Sequence, residues 1–433
     1  MSDNSGAEDC DVLVIGAGLA GLRCAGVLAR SGHDVVVWEA QDRVGGRVRT
    51  DVVDGFRCDR GFQVLNPAYP ALRRAVDVAE LRLQAFDAGV VVRRDHDRVT
   101  WVHPLREFRA VPKMLVRGGL TPPEVFALVR WALPALRPGA LTAARDDTTL
   151  REALERSNVH GLTRRVIDRF LAGVLLDDTG STSNAFALLL VRMFALGAPG
   201  LPADGMGALP ALLARPVVDR IRLQRKAVRL VRAGVDWEVS DGDATVRARE
   251  VVVAVDGPAA AVLTGAAVPA MKGVVTDWWA ADDVPPGPAM LCVDGRADPP
   301  GPVVNTAVIS AAAPTYAPPG RHLVAASALI GPDRRTPSES VMRRHASDIL
   351  GIDASGWTSV IRHEVADALP VQPAPLIVRR PARNPDGLWL CGDHRDTASI
   401  QGALVSGRRV AEAISAERCA RTSTSTPPPG RSE

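Results

Sequence analysis

The stretch Asp11–Arg47, DVLVIGAGLAGLRCAGVLARSGHDVVVWEAQDRVGGR, constrains the fold more than any other part of this chain. The apolar run Val12–Ile15 ends in Gly16-Ala17-Gly18-Leu19-Ala20-Gly21, after which Leu22, Ala25, Val27, Leu28 and Ala29 recur at helical spacing. That order is strand, glycine turn, helix. Gly16 permits the turn, Gly18 lets backbone approach a pyrophosphate, and Gly21 lets the helix pack closely on the strand. Backbone N–H groups through Leu19 and Ala20, at the positive end of the helix, then face the phosphates. A second strand over 33–38 ends in Glu39, eighteen positions past Gly21, where a Rossmann unit hydrogen-bonds ribose hydroxyls. A carboxylate there disfavours a 2′-phosphate.

The string continues as Gln41-Asp42-Arg43-Val44-Gly45-Gly46-Arg47. Two glycines before an arginine let a loop fold back so that the Arg47 guanidinium offers paired donors to phosphate oxygens. With this extension the chain resembles the FAD-dependent amine oxidoreductase superfamily: flavin monoamine oxidases, protoporphyrinogen oxidases and phytoene-type desaturases. Three further segments carry the resemblance. Asp59-Arg60-Gly61-Phe62-Gln63 matches a D-x-G loop that runs along the flavin ring, with contacts expected from Gly61, Phe62 and Gln63. The alternating segment 221–255, read as five short strands at 221–223, 227–231, 235–239, 244–246 and 251–255, matches the returning part of the FAD domain, with Val228 backbone against adenine. Gly387–Asp393 followed by Ser399–Ala411 matches the C-terminal FAD motif: Asp393 stands where an acid binds the ribityl chain. N–H groups of Gln401 and Gly402, at a helix start, would stabilise negative charge near flavin N1.

The resemblance implies a discontinuous Rossmann-type FAD-binding domain over 10–70, 205–265 and 386–418. It is interleaved with an α+β substrate domain over 71–204 and 266–385, in which 104–200 forms a helical insertion. The fold class is α/β. At 433 residues with 46% hydrophobic content, a chain of two domains is expected. Residues 419–433, small, polar and Pro-rich at the end, read as a disordered tail. One helix start is marked by Thr149-Leu150-Arg151-Glu152, which has capping-box spacing.

Charge and cysteine usage exclude several function classes. Net charge is +3, from Lys+Arg 52 and Asp+Glu 49, which gives no global field for nucleic acid. Six cysteines without C-x-x-C spacing and eight histidines without H-E-x-x-H suggest neither a disulfide framework nor a metal site. A polar N-terminus and no apolar run of about 18 residues point to a cytoplasmic chain that does not span a membrane. Peripheral membrane contact is expected through 104–137, where Arg106, Arg109, Lys113, Arg117, Arg130 and Arg137 interleave with apolar residues.

No second G-x-G-x-x-G follows a strand, so the expected electron acceptor is oxygen or a quinone-like molecule rather than NAD(P)H. The expected reaction is hydride transfer to flavin N5 from a C–N or C–C bond of a small organic substrate, an apolar one included. Lys272, before the strand-like run Val274–Trp279, lies roughly where the family's amine oxidases carry a lysine that holds a water near N5. The chain departs from those oxidases at Ile400, where an aromatic ring is common. It has only two tyrosines, Tyr69 and Tyr316, leaving Trp278, Trp279 or Trp389 to supply a ring. Two other readings stay open: a desaturase or isomerase of an apolar polyene or porphyrinogen, and a non-catalytic binding protein of the GDP-dissociation-inhibitor type.

Overall fold

Val12, Leu13, Val14 and Ile15 are buried on both faces, as are Val35, Val36 and Val37. Runs apolar at every position are what interior parallel strands require. In the computed structural model, which describes residues 8–104, 106–136 and 146–424, Glu8–Ile15 is the centre of a parallel arrangement. It pairs with Val35–Trp38 on one side and Thr245–Val253 on the other. Ile221–Arg222 extends one edge, Asp236–Ser240 and Arg229–Ala233 extend the other, and Trp389–Leu390 pairs with the far end of Thr245–Val253. Helix Leu19–Arg30 crosses between the first two strands, and helix Ile400–Thr424 packs against it closely enough that a Cβ on Gly407 would lie 2.1 Å from the Ala20 carbonyl oxygen.

The chain divides into two units, 1–46, 210–269 and 379–433 against 47–209 and 270–378. Residues 47–70, expected in the nucleotide-binding part, group with the second unit. The cause is local: hairpin residues Thr50 and Asp59 hydrogen-bond the backbone N–H groups of Gly207 and Met206, and Asp59 also accepts from Tyr316. Residues 379–385 belong to the first unit, where the Asn384 side chain accepts from Leu388 N and Arg380 N donates to Arg395 O.

The second unit is built on a sheet in the order Thr358–Pro370, Met271–Ala281, His322–Ile330, Val303–Val308, Leu291–Asp294, Gly89–Arg93, Arg98–Val102. Its pairs are antiparallel except Leu291–Asp294 with Gly89–Arg93. The helical insertion is present as Val111–Arg117, Pro122–Ala132, Leu150–Arg156, Gly161–Leu175 and Asn184–Leu196. Thr149 and Glu152 form the expected capping box, and Thr121 with Glu124 forms a second one of the same spacing.

Two expectations change. The strands read separately at Ala244–Val246 and Val251–Val255 are one strand, Thr245–Val253, because Arg247 and Arg249 are simply its exposed face. The last helix runs to Thr424, past the boundary at 418, with Arg418 paired to Asp11 and Arg421 to Glu250. The rest of the tail, 425–433, and Leu105 and Arg137 of the basic segment lie outside the described residues.

Candidate functional site

In the first unit the glycine turn has the shape a dinucleotide needs. Gly16 sits at φ +105°, and a Cβ on Gly21 would lie 1.9 Å from the Gly16 carbonyl oxygen. A Cβ on Gly18 meets nothing within 4 Å, so the space above this residue is open. Gly18 is the N-cap of helix Leu19–Arg30 and contributes no side chain to its first N–H groups. Open space over an uncapped helix start fits an anion. Glu39, buried, accepts from Ala17 N at 2.7 Å through one carboxylate oxygen and from Gln41 N at 2.9 Å through the other. It therefore braces the turn at its own end of the strand, and each oxygen keeps a lone pair for a ribose hydroxyl. Gly45 N donates to Ala17 O, which draws the second glycine pair onto the same turn.

The same unit holds Val228, Asp393, Gln401 and Gly402. Val228 N donates to Ser240 O, and its side chain is exposed. Asp393 is buried in the turn after Gly392, whose N–H donates to Ser406 Oγ on the last helix. Gly402 N–H is engaged by Ser399 Oγ at 3.1 Å, and a Cβ there would lie 1.9 Å from Thr397 O. The glycine is thus required by close approach of the preceding loop, and Gln401 lies one residue nearer the helix start.

The remaining expected residues lie in the second unit. Gln63 Nε2 donates to the carbonyls of Arg47 and Arg60, and Gln63 Oε1 is buried with no donor among the described residues. Arg47 Nη1 donates to Ala368 O at 2.7 Å. Phe62 packs edge-on to Phe86, and Gly61, at φ +88°, faces Val274.

Lys272 Nζ donates to Thr182 Oγ1 at 2.7 Å and Leu175 O at 3.3 Å, with Asp177 Oδ2 at 3.5 Å. Burial lowers the Lys272 ammonium below its ordinary value, with Asp177 acting in the opposite sense. Burial also works against the Asp177 carboxylate, yet donors from Thr179 and Thr182 and the Lys272 charge hold it well below the usual carboxylate range. These bonds fix the Lys272 ammonium group in place. Asp177 and Thr182 escaped the sequence reading because they precede Lys272 by about ninety residues with no motif of their own.

The three tryptophans considered as substrate rings are core residues instead. Trp278 packs in an apolar cluster with Tyr316, Trp279 donates to Glu339 and lies against Trp357, and Trp389 donates to Glu250 beneath Arg383. Tyr316 is itself buried and donates to Asp59. Among the described residues no group of three or more His, Cys, Asp or Glu is arranged for a metal ion.

Residues 19–415 match the sequence profile of the flavin containing amine oxidoreductases. The chain belongs to this family. The family is flavin-containing, and the glycine turn, Glu39 and Asp393 all lie in the first unit. A putrescine oxidase from Kocuria rosea is 28% identical over 285 residues, which are 58% of this chain and 57% of that enzyme. The chain thus spans little more than half of that relative's length. An oxidoreductase from Methanosarcina mazei has a similar fold, with a TM-score of 0.73 at 17% identity over 93% of this chain and 100% of that one. A cyclohexylamine oxidase from Brevibacterium oxydans superposes with a TM-score of 0.64 at 19% identity, covering 95% of this chain and 99% of that chain. The non-catalytic binding reading finds no support in these relatives.

Proposed function

We propose that this chain oxidises a C–N or C–C bond of a small organic substrate and passes the electrons to oxygen or a quinone-like acceptor. The observation that carries this is the single dinucleotide turn, braced by Glu39 and open above Gly18. When bound, FAD supplies the hydride acceptor. The protein's share, within the first unit, is to hold the ribose with Glu39, the ribityl chain with Asp393 and the phosphates with backbone N–H groups of the glycine turn. Lys272, held by Asp177 and Thr182, is suited to position one water or a proton at a fixed point. Oxidation at a C–C bond of an apolar polyene or porphyrinogen is the second reading. It is favoured by the core positions of Trp278, Trp279 and Trp389, which supply no ring pair for an amine.

The test is anaerobic bleaching of the purified, FAD-loaded protein by amines, by polyenes and by NADPH. Bleaching by an amine or a polyene chooses between the readings, and rapid bleaching by NADPH removes the proposed acceptor scheme. Lys272→Met, which keeps much of the side-chain volume, is expected to slow a proton- or oxygen-dependent half-reaction about 10- to 100-fold with FAD still bound. Stopped-flow rates equal to the parent in both half-reactions would leave Lys272 a structural partner of Asp177.

Peripheral contact with a membrane is a separate part of the reading, supported by the segment 106–136. Among the described residues no helix is long and apolar enough to cross a membrane. Phe108, Val116, Phe126 and Val129 are nevertheless 66%, 84%, 70% and 53% exposed, beside Arg109, Lys113 and Arg130. Cosedimentation with vesicles containing anionic lipid is expected, and to fall about tenfold for Phe108→Ser/Phe126→Ser, as loss of two inserted rings implies. Equal pelleting of parent and variant removes this part of the reading.

A further inference from the structure

On the first unit, four arginines converge where the loop after residue 378 meets the turn after Asp393 and the last helix. Arg409 Nη2 donates to the carbonyls of Arg380 at 2.8 Å and Arg395 at 3.4 Å. Arg395 Nη2 donates to Pro381 O, and Arg380 N donates to Arg395 O. These bonds pin the two guanidinium groups rather than leaving them to swing in solvent. One carboxylate faces them: Asp396, buried, whose Oδ2 lies 3.7 Å from Arg409 Nη1, beyond hydrogen-bond distance. Arg379 and Arg380 make no ion pair among the described residues.

We propose that Arg379, Arg380, Arg395 and Arg409 form a binding site for a phosphate-type oxyanion, separate from the dinucleotide turn. The cluster carries four positive charges against one negative, and like charges held this close repel unless a counter-charge joins them. Two of its donors are also unused: Arg395 Nε and Arg409 Nε are buried and have no acceptor among the described residues. A buried N–H without a partner is costly, and two from adjacent side chains call for a shared acceptor. A tetrahedral oxyanion has enough oxygens to accept from several planar guanidinium edges at once, which a monovalent halide lacks. Burial depresses the Arg395 guanidinium, and Arg380 and then Arg409 depress it further, the signature of uncompensated positive charge. Because the bonds within the cluster tie residues 380–381 to the turn carrying Asp393, anion binding would stiffen that turn.

The experiment is a titration of the FAD-loaded protein with sodium phosphate at constant ionic strength, read by isothermal calorimetry and by the unfolding midpoint, with sodium chloride as control. Saturable heat and a rise in midpoint are expected with phosphate and not with chloride. Arg379→Gln/Arg380→Gln removes two charges whose side chains make no hydrogen bond or ion pair among the described residues, so it should fold normally and bind phosphate about tenfold more weakly or worse. Arg395→Gln should lose the saturable signal. The proposal is overturned if chloride reproduces the phosphate response, or if the Arg379/Arg380 variant titrates like the parent. It is overturned equally if phosphate binding releases flavin in proportion, which would place the anion at the dinucleotide turn.

Discussion

Gly21→Ala is expected to yield a protein that retains no FAD and unfolds at much lower denaturant. The added Cβ would lie 1.9 Å from the Gly16 carbonyl oxygen and 3.1 Å from Ala254 Cβ, and the first of these is backbone that cannot swing aside. Helix Leu19–Arg30 must move off the central strand. That movement breaks its packing on the sheet and on helix Ile400–Thr424, so a loss of about 3 kcal/mol or more is expected. Gly18→Ala separates the ligand from the scaffold. Its Cβ meets no protein atom within 4 Å, and its φ of −73° is open to alanine. The Gly18 variant should therefore keep the parent's stability without flavin and still hold FAD about tenfold more weakly or worse, because the methyl occupies the approach to the pyrophosphate. Urea unfolding of flavin-free protein together with flavin content of each purified variant checks both. Equal flavin content in Gly18→Ala would remove the pyrophosphate from this turn.

The contrast between those two glycines was legible in the sequence, because the turn, the crossover helix and Glu39 all lie within thirty residues. Their geometry follows from local rules: continuous apolar strands, a glycine at a positive φ, a helix start without a capping side chain. The capping box at Thr149 and Glu152 was legible for the same reason. What was not legible depends on partners far apart in the chain. Nothing near Lys272 announces Asp177, and nothing near Asp59 announces Tyr316, 257 positions away. The strand Thr245–Val253 was split because Arg247, Arg249 and Glu250 interrupt its hydrophobicity. Alternation gives the first two to solvent, while Glu250 is buried only because Trp389 and Arg421 satisfy it. The tryptophans at 278, 279 and 389 were open to either use, since an aromatic residue in a strand packs a core or lines a site with the same local sequence.

Asp59 is expected to make stability depend on pH between about 4 and 6. Its Oδ1 accepts from Thr50 Oγ1 at 2.5 Å and Met206 N at 2.9 Å, and its Oδ2 accepts from Tyr316 Oη at 2.8 Å. Burial pushes the carboxyl up to about 6, against the pull of those three donors. Its ordinary value is 3.8, so the folded protein binds a proton there that the unfolded chain releases. Stability from this group is therefore fully present below pH 3.8 and is lost as pH rises through about 6. A shift of about 2 units corresponds to roughly 3 kcal/mol. Asp59→Asn removes the ionisation while keeping the bonds: the amide oxygen still accepts from Thr50 and Met206, and the amide nitrogen can donate to the Tyr316 oxygen. The variant should match the parent near pH 4, pull ahead of it through the window from pH 4 to 6, and stay more stable by up to about 3 kcal/mol above that. Asp177 and Asp294, held below the usual carboxylate range, titrate alike in both proteins at lower pH and cancel in the difference. Urea midpoints of both proteins at half-unit steps from pH 4 to 7.5 decide it, and a constant difference across that range would mean that Asp59 is ionised throughout.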